Sequence, residues 1–210
     1  MILPPLRPPG LEQIGPLRLA SASPRRLELL RQLGLEPEVF PLDLDETRRP
    51  GETPYDYCVR MAQTKAEKGF APGIMACLGA DTVVTKDGRV FGKPEHAARA
   101  RQTLNELAGG SHQVLTAVTV AAGARPHLRT RVSTTDVWMK KATTRELDAY
   151  IATGEPMDKA GAYGIQGLGA FLIERIHGSY TGVVGLPLFE TVALLQWAKN
   201  LYLEGSNIAA

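Results

Sequence analysis

The chain lacks most of the features that assign a protein quickly. Its 210 residues include two cysteines, Cys58 and Cys77, too few for a disulfide framework and without metal-ligand spacing, so a reduced, cytoplasmic setting is expected. Aromatic residues make up 6% of the chain and the formal net charge is +2. With no basic face interleaved with aromatics, no nucleic-acid partner is expected. No apolar run approaches membrane-spanning length, so no membrane partner is expected either. Residues 1–16 contain five prolines and no apolar signal core; they read as a flexible extension rather than an export signal. Neither a GxxxxGK[ST] phosphate loop nor a GxGxxG dinucleotide loop occurs, so any phosphate binding must use another scaffold. The four histidines have no mutual spacing that suits a metal, and no Ser–His–Asp arrangement can be argued from chain order.

What is present is an ordinary globular composition, 44% hydrophobic and 22% charged, in a chain long enough to bury the core of one domain or of one domain with two lobes. The organising stretch is 17–34, LRLASASPRRLELLRQLG. It reads as a short buried strand, a tight polar loop and a helix. Ser23 suits the N-cap, Pro24 the first helical position, and Gly34 the residue just past the end. Leucines 27, 29, 30 and 33 recur at helical spacing and imply a buried face. Arg25 and Arg26 stand in the first turn, where each cation opposes the helix dipole by roughly 0.3–1 kcal/mol when exposed. A helix start with free N–H groups, the Ser21 and Ser23 hydroxyls and two guanidinium groups suits an anion, with phosphate foremost.

Further along, 38–42 reads as a strand entering the acidic run 43–46. Thr53-Pro54 opens a helix to about Gly69, with Cys58, Met61, Ala62 and Ala66 inward. An apolar strand, 74–79, delivers Asp81 at its end, and 90–91 pairs back across a turn. A helix over about 95–107 follows Gly92-Lys93-Pro94. Two extended segments, near 112–121 and 128–139, precede a capping box at Thr143 and Glu146. A glycine-rich stretch, 158–169, leads into a strand over 170–176, and the last helix covers about 187–203. Helices and strands alternate before a hairpin appears, which implies an α/β fold with a mixed twisted sheet flanked by helices.

Asp81, at the end of a strand, can bind a divalent metal or take a proton from water. Glu46 follows a strand in the same way and can supply a second carboxylate, although acidic runs are usually solvated. Lys93, before a proline-led helix, puts a cation at a helix start; Lys65, beside Glu67 and Lys68, also suits a plain surface position. In the glycine-rich stretch small residues let backbone approach a ligand. There Tyr163 can stack on a planar ring, and Gln166 can donate and accept along a base edge. His112 suits a structural role. Phosphate-binding groups, a cationic lysine and two carboxylates together suggest a nucleotide with a divalent ion.

Five blocks in order, Ser21-Ala22-Ser23-Pro24-Arg25-Arg26, Gly79-Ala80-Asp81-Thr82, Gly92-Lys93-Pro94, Asp158-Lys159-Ala160-Gly161 with Tyr163-Gly164-Ile165-Gln166-Gly167, and Val184-Gly185-Leu186-Pro187, resemble the Maf family of nucleoside triphosphate pyrophosphatases. The resemblance covers about 17–203 and leaves out the extension and a tail, 204–210. It implies an inosine-triphosphatase-like fold with two lobes around a cleft. It also implies hydrolysis of a nucleoside triphosphate to the monophosphate and pyrophosphate, aided by Mg²⁺ or Mn²⁺, in a cytoplasmic homodimer. Carried over by position, Ser21, Arg25 and Arg26 hold phosphates, and Lys65 and Lys93 neutralise charge on the phosphate chain. Glu46 and Asp81 bind metal or activate water, with Asp81 resembling the family's proton acceptor. The Tyr-Gly-Ile-Gln-Gly run resembles the branch that prefers dTTP and UTP, and Arg25 and Thr82 align with positions tied to that choice. The branch favouring 7-methyl-GTP usually carries an acidic residue at the place of Gln166. An amide matches the acceptor–donor–acceptor edge of uracil and thymine, whereas a carboxylate only accepts. The family has also been linked to inhibition of septum formation, which makes a nucleotide-binding regulator the reading from another class.

Overall fold

The computed structural model describes residues 7–208, with side chains for 7–204. Its centre is a mixed sheet of seven strands. In chain order the elements are β1 (Leu17–Leu19), α1 (Pro24–Gln32), β2 (Glu38–Val39), α2 (Pro54–Gly69), β3 (Ala76–Lys86), β4 (Arg89–Phe91) and α3 (Ala97–Leu107). Then come β5 (Ser111–Ala122), β6 (His127–Met139), α4 (Thr144–Ala152), β7 (Ile173–His177), α5 (Tyr180–Val184) and α6 (Leu188–Ile208), with three 3-10 turns between α4 and β7. The strand order is β2-β1-β3-β5-β6-β7, with β4 added to the far end of β3. β1 lies parallel to β2 and β3, and the remaining pairs are antiparallel.

β3 organises the molecule. On one side β5 accompanies it over almost its whole length. On the other, β1 pairs with it from Ala76 to Leu78 and β4 from Val84 to Lys86. Between them, positions 79–83 carry no strand on that side among the described residues. The sheet is split there, and the crevice beside such a split is where open α/β sheets place ligands. Buried side chains follow the same division. One cluster joins Leu19, Leu29, Leu30 and Leu78 to α6. A second joins Val84, Phe91, Leu104 and Leu147 on the other side of the split. Two lobes therefore share one sheet.

Local sequence explains α2 well. The Thr53 hydroxyl accepts the Asp56 N–H at 3.1 Å, Pro54 takes the first helical position, and Asp56 complements the dipole. Its buried face is Cys58, Met61, Ala62, Lys65, Ala66 and Gly69, mostly small residues, so the helix lies close to β3. Gly79 makes that approach possible: a Cβ there would lie 2.4 Å from the Ala66 nitrogen and 2.5 Å from the Ala62 oxygen. Both cysteines are buried and free. The capping box at Thr143 and Glu146 forms as expected.

Several expectations need correction. Residues 7–16 are docked rather than loose: Leu11 is fully buried, Gln196 Nε2 donates to the Pro9 carbonyl at 2.7 Å, and Arg7 Nε donates to the Gly34 carbonyl at 3.1 Å. The rest of the expected extension, 1–6, lies outside the described residues, as do 209–210 of the tail. α6 continues through the start of that tail to Ile208. The strand expected over 38–42 is two residues long. Asp81 lies in mid-strand rather than at a strand end. The helix after Pro94 begins at Ala97 and is capped by His96, whose Nδ1 accepts the Arg99 N–H at 3.2 Å, so Lys93 does not stand at its N-terminus. A 3-10 turn fills Leu168–Leu172 and delays β7, and the short α5 was not anticipated. Local apolar pattern did not separate these short pieces from strand.

Candidate active site

The cleft beside the split in β3 has a volume of about 590 Å³ and is lined from both lobes by Arg25, Arg26, Glu46, Lys65, Asp81, Thr82, Lys93, Tyr163 and Gln166, with Ser23. That size suits a nucleotide-scale ligand. Successive β3 side chains alternate between faces. Cys77, Gly79 and Val83 pack towards α2, and Asp81 shares their face. Thr82 points the other way, towards Arg26.

Lys65, on α2, joins the two carboxylates. Its Nζ lies 2.8 Å from Asp81 Oδ1 and 2.7 Å from Glu46 Oε1. The surface position the sequence also allowed for Lys65 is excluded, because it is 9% exposed. The carboxylates then diverge. Burial pushes the Asp81 carboxyl up, a change that the charges of Lys65 and Arg26 only partly offset and that Glu46 adds to. Burial also opposes ionisation of Glu46, but the Lys65 hydrogen bond and the charges of Lys65, Lys93 and Arg26 outweigh it and hold that carboxyl low. A carboxyl that releases its proton more readily than usual and one that holds it more tightly thus share one ammonium, a division suited to acid–base work.

Glu46 sits on a stretch without regular structure, and α2 holds it there. Tyr57 Oη donates to the Glu46 carbonyl at 2.9 Å, and Arg60 Nη2 donates to the Thr47 carbonyl at 3.1 Å. Arg60 also grips Glu52 through both carboxylate oxygens, at 2.6 and 2.8 Å. Neither Tyr57 nor Arg60 stood out in the sequence.

The polar loop after β1 is built around Arg26. Burial lowers its affinity for the proton, partly countered by Asp81. Its guanidinium donates to the Gly185 carbonyl at 2.8 Å, to Ser21 Oγ at 3.0 Å and to Thr82 Oγ1 at 3.2 Å. Arg26 therefore ties loop, sheet and the α5 end together beside the cleft. Ser21 is buried and its Oγ also accepts the Ser23 N–H at 3.2 Å. Ser23 occupies the N-cap position without the expected side-chain cap bond. Arg25 reaches across the cleft to Asp158, 2.7 Å away. Burial of Asp158 is outweighed by Lys159 and Arg25, which hold its carboxyl at about 2.

Tyr163 does not offer the stacking face expected of it. It is 5% exposed, and its Oη lies 2.7 Å from Nε2 of the buried His112. His112 Nδ1 has no partner among the described residues, and burial, with Lys86, pushes its imidazole down to about 4. Gln166 is exposed at the cleft, on a turn wrapped around Glu155, a residue that sequence reasoning passed over.

A family model described as Maf-like protein matches residues 16–198. The chain belongs to the Maf family. A relative named dTTP/UTP pyrophosphatase from Chromobacterium violaceum is 50% identical over 184 residues, covering 84% of this chain and 91% of that protein. One of the same name from Vibrio vulnificus strain YJ016 is 49% identical over 181 residues, covering 85% and 96%. A solved dITP/XTP pyrophosphatase from Mycobacterium abscessus shares 16% identity at a TM-score of 0.38, covering 66% of this chain and 94% of that one; at that level the likeness carries no argument, and the fold assignment rests on the sheet itself. In this Maf chain the loop after β1, the Gly79–Thr82 block and the Gln166 turn, far apart in sequence, line one cleft.

Proposed function

We propose that this Maf protein is a nucleoside triphosphate pyrophosphatase that hydrolyses dTTP and UTP to the monophosphate and pyrophosphate. The observation that carries the reading is the Glu46–Lys65–Asp81 cluster on the floor of a cleft whose rim supplies Arg25 and Lys93. A triphosphate resists attack because it is densely anionic, and cations placed along it offset that charge. Asp81, buried against the cleft, takes the proton of a water that adds at the α–β linkage. The new P–O bond replaces the bridging one, and pyrophosphate leaves. Lys65 and Lys93 stabilise the charge that develops, and Ser23 with the first turn of α1 receives phosphate oxygens. Gln166 reads the base.

A divalent ion belongs to the same reading. Among the described residues no group of three or more His, Cys, Asp or Glu side chains forms a cage. Mg²⁺, however, commonly takes one or two carboxylates and completes its shell with water and phosphate oxygens. Glu46 and Asp81 fit that role, and the ion when bound would polarise phosphoryl oxygens. The reading also includes a homodimer in the cytoplasm, which rests on the family resemblance. Among the described residues no helix is long and apolar enough to cross a membrane.

The test is pyrophosphate release from dTTP, UTP, CTP, GTP and 7-methyl-GTP with Mg²⁺ or Mn²⁺. Turnover of dTTP and UTP above the others is expected. Preference for 7-methyl-GTP would keep the reaction and overturn the base, and no turnover of any triphosphate would overturn both.

A pH profile examines the cluster separately. The base must be ionised, so kcat/KM falls as pH drops through the Asp81 pKa. Lys65 lowers that pKa; its removal must raise it. In Lys65→Met the residual activity should therefore lose its acid limb at higher pH than the wild type does. A limb that stays in place or moves down would remove Asp81 as the titrating base.

A further inference from the structure

The turn that carries Gln166 has little regular structure to hold it. Gln166 is exposed, so the direction of its amide depends on the backbone around it. Both arms of that turn end on one pair of acceptors, the half-buried Glu155 carboxylate and the buried Tyr150 hydroxyl. On the far arm, the Leu168 N–H donates to Glu155 Oε2 at 2.8 Å and the Gly169 N–H to Glu155 Oε1 at 2.9 Å. On the near arm, the Gly164 N–H donates to Tyr150 Oη at 3.1 Å, and Tyr150 Oη donates in turn to Glu155 Oε1 at 2.9 Å.

Three donors converge on one carboxylate, a demand that an ionised, acceptor-only group meets and an amide does not. The glycines follow from the same wrapping. A Cβ at Gly167 would lie 2.6 Å from Glu155 Oε2, and one at Gly169 would lie 2.5 Å from Tyr150 Oη. Part of the glycine-rich character of this stretch is therefore clearance around the Glu155 carboxylate, in addition to clearance for a ligand.

We propose that Glu155 is a positioning residue for base selection: by holding both arms of the turn, directly and through Tyr150, it sets where the Gln166 amide meets the base. The inference rests on reading the chain as a dTTP/UTP pyrophosphatase and Gln166 as the group that reads the base. Glu155 takes no part in the phosphate chemistry. Its loss changes which base is accepted more than how fast the bound triphosphate reacts.

The experiment compares kcat and KM for dTTP, UTP, CTP and GTP in the wild type, Glu155→Gln, Tyr150→Phe and Gln166→Ala. Glu155→Gln keeps the shape but turns an amide N–H₂ against an N–H donor. KM for dTTP and UTP should rise about tenfold with kcat within about twofold, the scale of losing one hydrogen bond to a charged group. The preference for dTTP over GTP should fall towards that of Gln166→Ala. A fall in kcat shared equally by all four substrates, with the preference intact, would show a merely structural role and overturn the proposal. If Glu155→Gln does not fold, Tyr150→Phe carries the same test with a shift of about two- to fivefold, since it breaks the near arm alone; an unchanged preference there overturns the proposal. A wild type inactive on every triphosphate would sink the functional reading itself. A Gln166→Ala enzyme with wild-type preference would sink the role of Gln166. Both outcomes differ from failure of Glu155 alone.

Discussion

Asp81→Asn should abolish most pyrophosphate release while leaving the protein at least as stable as the wild type. The two halves of that result have one cause. Asp81 is 8% exposed, and burial disfavours its charge more than Lys65 and Arg26 favour it. A neutral amide of the same shape removes that buried charge, and Glu46 still pairs with Lys65 at 2.7 Å, so no unpaired ammonium is left behind. What disappears is the group that accepts a proton, and kcat should fall by about 10²–10⁴, the usual contribution of a positioned base. Parallel thermal melts and single-turnover rates would check it. A variant that keeps more than about a tenth of the wild-type rate would move the base elsewhere. A stable but inactive protein would place Asp81 among residues kept for chemistry at the expense of stability.

Arg26→Ala should have the opposite character, with stability falling first. Its guanidinium satisfies Ser21 Oγ, Thr82 Oγ1 and the Gly185 carbonyl at once. Ser21 and Gly185 are buried, and water does not readily replace a fork that reaches three elements. Thr82 has a second neighbour, Thr116 Oγ1 at 3.1 Å, which itself donates to the Gly182 carbonyl at 2.7 Å, so the disturbance reaches α5. Stranding these acceptors should cost about 3–5 kcal/mol, read as a lower denaturant midpoint at unchanged slope. Arg26→Lys should recover only part of the loss, because one ammonium cannot span the three acceptors of a planar fork. A loss below about 0.5 kcal/mol in Arg26→Ala, the scale of an ordinary surface change, would mean that the loop after β1 is held by other contacts.

Particular residues show how far sequence reasoning reached. The start of α2 and the capping box of α4 were legible because each signal lies within four residues, where a side chain can reach only its own turn. The inward face of α2 was legible for a similar reason, since helical period alone puts Cys58, Met61, Ala62 and Ala66 on one side. Lys65 shares that face, yet its charge spoke for the surface until Asp81 and Glu46 were seen around it. Tyr163 misled in the opposite direction. Its position in a glycine-rich run suggested an open ring, whereas His112, 51 residues away, takes its hydroxyl into the core.

By itself, then, the sequence determined the capped starts of α2 and α4, the inward place of Cys58 and the family, through five short blocks in a fixed order. It also named the residue types that later met in the cleft. Only the tertiary structure decided that Lys65 stands between Glu46 and Asp81, that β3 is unpaired on one side at 79–83 among the described residues, and that Glu155 holds the turn under Gln166. Caps and periodicity are interactions of near neighbours and can be read along the chain. These contacts join residues far apart in it or depend on how strands share an edge. The first two exist because Gly79 lets α2 approach β3, and because β1 stops where β4 has not yet begun.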